Sequence, residues 1–394
     1  MGWIRKQKGV GDSDTGKSNW FEENPKKTIF FVIFIGLLLS IFIAEIFLQY
    51  KHKPDSLNVQ RHIRLKEHQP GISIFKHLDD RYMQDVDSLI QREYRIRADK
   101  DGFLEPSKKY ENADKTIVFL GGSTTECFWM EEYSRFPYLV GVLLEQKTGL
   151  RINSYNSGVG GNNTLDSLNI LLNKIIPLKP DIVVMMHNIN DLQILLYEKS
   201  YWNSNPYRST IVTTVINENT TLFDVIRTLK NFLIPNLYQK FADLKVRFGA
   251  KLFVDEFAYV RGQKIVIDKT MIKKEFEMNL QTFISICKIR GIIPVLMTQQ
   301  NRITEIPDNL ISRTFAPRLK KDFNIEYNEY QAIYSMLNQS IRDIGKRNGV
   351  LVIDLDMGIP HTNEYIYDSV HFNENGSKKA AKIIMEKLLP IVQR

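Results

Sequence analysis

Residues 115–129, KTIVFLGGSTTECFW, run from a β-branched, apolar strand through two glycines into Ser123, Thr124, Thr125 and Glu126. A strand that ends on a glycine pair and passes into a helix is the joint from which parallel α/β sheets are built, and in such sheets ligands sit beyond the carboxyl ends of the strands. Ser followed three residues later by Glu is also the spacing of a capping box, in which each side chain satisfies an orphan backbone N–H. This stretch alone does not decide whether Ser123 is a nucleophile or a helix cap.

The same strand-to-helix alternation recurs downstream. Strands are expected at 116–121, 152–156, 180–187, 292–298 and 350–356, with helices near 133–147, 164–176, 270–290 and 328–347 and a closing helix from about 374. PDIVVMMH (180–187) and IIPVLMT (292–298) are unbroken apolar runs, the pattern of parallel strands covered on both faces. The fold class predicted is α/β, with a doubly wound parallel sheet spanning 113–394. Residues 199–262 are too long for an ordinary connection and form an insertion. Its central part, 222–253, sets apolar residues at helical spacing beside Arg227, Lys230, Lys240, Lys245, Arg247 and Lys251, with Pro235 breaking it in two. That face suits either a lid packed on the core or a contact with a membrane surface.

The 394 residues are 43% hydrophobic and 25% charged, a composition that supports a sizeable core. The net charge of +8 is thinly spread, +3 on residues 1–112 and +5 on the rest. It comes with no zinc-finger spacing or RNA-binding aromatic signature, so nucleic acid is not expected as a partner. Cys127 and Cys287 each lie in an apolar segment, which predicts buried thiols rather than a disulfide framework or a Cys-based metal site. No cofactor motif is present.

TIFFVIFIGLLLSIFIAEIFLQY (28–50) carries no charge from Ile29 to Ala44 and reaches the ~20 apolar residues needed to cross a bilayer. It lacks the short apolar region and small-residue cleavage site of a signal peptide. We expect a flexible tail at 1–27, a single-span anchor at 28–50 through which the lipid bilayer is a partner, and a stalk at 51–112. Lysines and arginines on both sides leave orientation open on charge alone. A short tail before a large domain nevertheless suits a signal anchor, with a cytoplasmic N-terminus and an extracytoplasmic domain.

A serine hydroxyl becomes a nucleophile when a base takes its proton and a third group fixes that base. After the last strand, Asp368 precedes His371 by three residues, directly before a helix. The other histidines have plainer settings: His52, His62, His68 and His77 in the stalk, His361 in a loop, and His187 at the end of an apolar strand. An oxyanion hole needs N–H donors at a strand end. NSYNSGVGGNNTLDSL (153–168) offers Gly158, Gly160 and Gly161 before a helix, and MMHNINDLQIL (185–195) offers Asn190 beside Asp191. Taken separately, the first is also a plain Gly-rich turn and the second a pair of good helix caps.

In this order and placement, FLGGSTTE (119–126), SGVGGNNT (157–164), HNIND (187–191) and DSVH (368–371) together resemble the four blocks of the SGNH/GDSL serine esterases and acyltransferases. The resemblance covers residues 113–394 outside the insertion and implies a three-layer α/β/α, flavodoxin-like fold. It also implies Ser123 as nucleophile, His371 and Asp368 as the other catalytic residues, and an oxyanion hole from the N–H groups of Ser123 and Gly161 with the Asn190 amide. Two positions depart from the pattern. Gly122 replaces the Asp of the family name, as in membrane-linked, polysaccharide-associated members. Asn188 replaces the usual Gly of the third block, which would reshape the pocket wall and bring His187 and Asn188 within reach of substrate.

The resemblance implies a membrane-anchored esterase or O-acyltransferase. Its substrate would be an acylated carbohydrate or other ester, with O-acetyl groups of cell-envelope or exported glycans expected, and it would need no metal or cofactor. Other readings are a catalytically silent glycan-binding or assembly subunit beside a membrane acyltransferase, and a lipid esterase docked through the basic segment.

Overall fold

Lys115–Gly121 (β4), Ile152–Gly158 (β5), Ile182–Met186 (β6), Ile293–Met297 (β8) and Leu351–Ile353 (β9) form one five-stranded sheet in the order β5-β4-β6-β8-β9. All four pairings are parallel. The first strand of this sheet therefore lies inside the second and third, which is the doubly wound, flavodoxin-like order. The computed structural model from which this is read describes residues 19–51, 58–78, 80–216 and 256–394.

Strand residues alternate between two apolar layers. Val118, Leu120, Val183, Met185 and Leu296 face one layer, with Phe276 and Leu280 of the helix Lys269–Ile289 and Ile333 and Leu337 of the helix Tyr327–Asn348. Ile117, Phe119, Ile182, Val184, Val295 and Met297 face the other, with Val140 and Leu144 of Phe136–Thr148 and Ile384 and Leu388 of Glu374–Val392. The period of two along each strand thus feeds two helical layers, which is why the strands read as continuous apolar runs. Cys127 and Cys287 are buried, unpaired thiols.

The chain divides into two compact units, Met1–Gln60 with Thr214–Ala250, and Arg61–Thr213 with Lys251–Arg394. In the first lies an apolar helix, Pro25–Lys51. Its segment Pro25–Leu48 has no buried residue and is long and apolar enough to cross a membrane. The basic stretch 222–253 lies outside the described residues.

The stalk reading of 51–112 needs correction from Arg61 onward, because this stretch belongs to the same unit as the sheet. Of the remaining strands, Asn58–Ile63 (β1), Ser73–His77 (β2), Glu93–Arg97 (β3) and Ile211–Ile216 (β7), β2 and β3 pair antiparallel. Tyr94, Ile96 and Ala98 are buried between outward-facing arginines, a period-two pattern that the charges conceal. Phe103 is buried against Tyr155 with ring centroids 4.8 Å apart. Leu104 bridges to Asn156 of the edge strand β5, which covers that edge.

Candidate active site

The turn after β4 leads into a single helical turn, Ser123–Glu126, whose N-cap is Gly122. No side chain caps it, so the N–H groups of Ser123 and Thr124 point outward unspent. The expected capping box is therefore absent. Glu126 is buried and turns instead toward His68, with Oε1 3.1 Å from Nε2.

Across the sheet, His371 Nε2 lies 2.7 Å from Ser123 Oγ, and His371 Nδ1 lies 2.6 Å from Asp368 Oδ2. Asp368 Oδ1 accepts the backbone N–H groups of Val370 at 2.8 Å and His371 at 2.7 Å. With the carboxylate as acceptor, Nδ1–H donates to Asp368 and Nε2 is left to accept the serine hydroxyl. Burial pulls the imidazole pKa down, but the charge and hydrogen bond of Asp368, with Glu126 adding its charge, leave it above its ordinary value. Burial pushes Asp368 up, but the His371 charge and the hydrogen bonds it accepts leave it below the usual carboxylate range. The Tyr367 ring stacks on the imidazole at 5.6 Å and 11°. This arrangement can move a proton off Ser123 and hold the resulting imidazolium.

The two Gly- and Asn-bearing strand ends converge beside this turn. Asn190 Nδ2 donates to Asn162 O at 2.8 Å. A Cβ on residue 122 would fall 2.3 Å from Asn190 Nδ2 and 3.1 Å from Asn162 O. Gly122 thus gives the Asn190 amide its room against the Ser123 turn. Gly161 has φ +80°, a left-handed conformation open to glycine at little cost.

The Gly161 turn is fastened from three sides. Arg208 Nη1 donates to Gly161 O, and Asn162 Nδ2 donates to Lys66 O at 3.0 Å. Asp191 Oδ1 accepts Thr164 N–H at 2.9 Å, Thr164 Oγ1 at 2.6 Å and Tyr201 Oη at 2.7 Å. Asp191, adjacent to Asn190, therefore bolts one strand end to the other. Gln299, after β8, donates to Thr124 Oγ1 at 2.8 Å and accepts Ile189 N–H at 2.9 Å.

His187 and Asn188 do not reach the pocket. His187 is buried with Nε2 2.7 Å from Ser167 Oγ, and burial depresses its pKa to about 3. Asn188 Nδ2 donates to Tyr334 O at 2.9 Å and Asn338 Oδ1 at 3.0 Å. The Asn that replaces Gly stitches β6 to the Tyr327–Asn348 helix and does not shape the pocket wall.

A cavity of about 740 Å³ opens over Ser123 and His371 and is also lined by Tyr82, Glu126, Phe128 and Trp129. Glu126, His68 and Arg208 carry no sequence signal for this place: Glu126 has the spacing of a cap, and His68 and Arg208 lie outside the four blocks. Only the aromatic pair Phe128–Trp129 directly after the turn hinted at a lined pocket. Among the described residues no group of three or more His, Cys, Asp or Glu is arranged to hold a metal.

A sequence model of the GDSL-like Lipase/Acylhydrolase family matches residues 119–379. Similar solved structures include an acetylxylan esterase from Geobacillus stearothermophilus, 14% identical over 70% of this chain and 95% of that one, with a TM-score of 0.40. Two others are a lipase/acylhydrolase from Enterococcus faecalis (16%, 70% and 96%, 0.40) and LAE5, an alpha/beta hydrolase enzyme from the metagenome of Lake Arreo, Spain (16%, 71% and 97%, 0.39). No curated protein matches the chain.

Proposed function

Because this chain belongs to the GDSL-like lipase/acylhydrolase family, an ester-hydrolysing group of serine enzymes, we propose that it is a membrane-anchored esterase or O-acyltransferase acting on O-acyl, chiefly O-acetyl, groups of cell-envelope or exported glycans. The observation that carries the catalytic part is the continuous Ser123–His371–Asp368 hydrogen-bond chain. A catalytically silent assembly subunit has no chemical need for it.

Ser123 Oγ attacks the ester carbonyl while His371 Nε2 takes its proton, and Asp368 holds the imidazolium that forms. The N–H groups of Ser123 and Gly161 and the Asn190 amide receive the oxyanion. When the tetrahedral intermediate collapses, His371 returns the proton to the departing sugar oxygen and the acyl group stays on Ser123. Water, or a hydroxyl of an acceptor glycan, then gives its proton to His371 and attacks the acyl-serine, releasing free acid or a new ester. The raised imidazole pKa makes His371 a stronger base, fully available above that value.

The cavity exceeds what an acetyl group needs. Its aromatic and polar lining, Phe128 and Trp129 beside Glu126 and Gln193, suits a sugar with one apolar face and a hydroxyl edge. Helix Pro25–Lys51 would anchor the chain, with the N-terminus cytoplasmic and the catalytic unit outside. Full-length protein in detergent, treated with a fluorophosphonate probe, is expected to be labelled on Ser123, and Ser123→Ala is expected to lose the label. Labelling at another serine, or none in folded protein, overturns the nucleophile.

A further inference from the structure

The geometry points to a second sugar subsite on the far side of Trp129, so that the substrate is an uncharged oligosaccharide or polysaccharide rather than a single acylated sugar; this rests on the glycan reading of the Ser123 site. A cavity of about 280 Å³ is lined by Trp129, Ile90, Tyr94, Asn363, Asn375 and their neighbours. Trp129 is a wall of this cavity and of the active-site cavity at once. Its ring lies 5.8 Å from that of Tyr82, which lines the active site, and 5.7 Å from that of Tyr94, which lines the second cavity. A chain leaving the nucleophile past Trp129 therefore meets a prepared pocket.

The chemistry of the lining selects the occupant. Trp129 and Ile90 offer apolar surface to the C–H face of a pyranose. The exposed amides of Asn363 and Asn375 can each donate to and accept from hydroxyl groups. An acyl chain would bury those amides without partners, at a cost. An anionic sugar would face the carboxylate of Glu364 on the same wall, where the one other carboxylate, Glu374, is already paired with Arg92.

The pocket is also held in shape. Asn373 Oδ1 caps Gly376 N–H at 3.0 Å, while its Nδ2 donates to Asn363 O and Glu364 O, both at 3.0 Å. Arg92 ties Glu374 at 2.9 Å to Glu131 at 3.3 Å. A pre-formed site loses less to ordering when its ligand binds.

The test measures kcat/KM of the full-length protein in detergent on partially O-acetylated oligosaccharides of glucose, xylose and N-acetylglucosamine, from one to five units. In wild type, kcat/KM should rise roughly tenfold between one unit and three, the gain from about two good hydrogen bonds. In Asn363→Ala/Asn375→Ala that gain should be lost, so that the three-unit to one-unit ratio falls toward one. A wild type without chain-length dependence, or a variant that keeps it, overturns the subsite and leaves the glycan reading standing. Cleavage of p-nitrophenyl acetate with no sugar ester cleaved overturns the glycan reading itself, and the subsite with it.

Discussion

Ser123 occupies the first helical position, one residue inside the Gly122 cap, and that offset matters chemically. Had Ser123 been the cap, its hydroxyl would have been spent on a backbone N–H two or three residues on. With a glycine in the cap position, the hydroxyl is free to meet His371 and the first-turn N–H groups are free to meet an oxyanion. Asn190 is the remaining donor proposed for that oxyanion. One of its two amide hydrogens goes to Asn162 O, which fixes the side chain and leaves the other for substrate. Asn190→Ala should therefore lower kcat by about 10²–10³ while KM changes little. The fold should lose only about 1 kcal/mol from the unpaired Asn162 carbonyl. Steady-state kinetics on p-nitrophenyl acetate together with a thermal melt would check this, and full activity in Asn190→Ala would remove it from the oxyanion hole.

Among the elements, those with the strongest period were legible and those masked by charge were not. VVMM in β6 and IPVLM in β8 have no polar residue to break the apolar run, so their place in a covered parallel sheet could be read directly. Ser123, His371 and Asp368 were legible because each follows a strand and their chemistry constrains their types. His187 and Asn188 also follow a strand, but nothing in the sequence tells an inward-facing side chain from one facing the pocket. REYRIRA (92–98) hid β3, because arginines on its outer face obscure the buried Tyr94, Ile96 and Ala98. A chain begun at residue 113, where the sequence suggests the domain starts, would lose these residues and also Phe103 and Leu104. At ~1.5–3 kcal/mol for each large side chain, that loss rivals the ~5–15 kcal/mol by which a whole domain is stable. Residues 113–394 are accordingly expected to aggregate or to lack a cooperative melt, whereas 61–394 should fold. A soluble 113–394 chain with a sharp transition would show that 61–112 is dispensable.

At the scale of the whole molecule, two buried titratable groups behind the Ser123 turn contribute to the acid response of stability in opposite senses. His187 and Asp191 are buried, with Nδ1 and Oδ2 3.6 Å apart. Burial depresses His187 to about 3, so its contribution is fully present above the unfolded value of ~6.5 and is lost as pH falls toward 3. Burial raises Asp191 to about 6, against the hydrogen bonds from Thr164 and Tyr201. Its contribution is fully present below the unfolded value of ~3.9 and is lost as pH rises through 6. Between about pH 4 and 6 the unfolded chain gains a proton on His187 while the folded chain gains one on Asp191, and the two slopes cancel. His187→Gln keeps a partner for Ser167 but removes one side of this balance. Whatever its stability at pH 7, the variant should gain on wild type by about 1.4 kcal/mol for each pH unit below 6.5. Urea unfolding of both proteins at half-unit steps from pH 7 to pH 4 reads the difference directly. A difference that stays constant across that window would mean that His187 is not buried neutral in the folded chain.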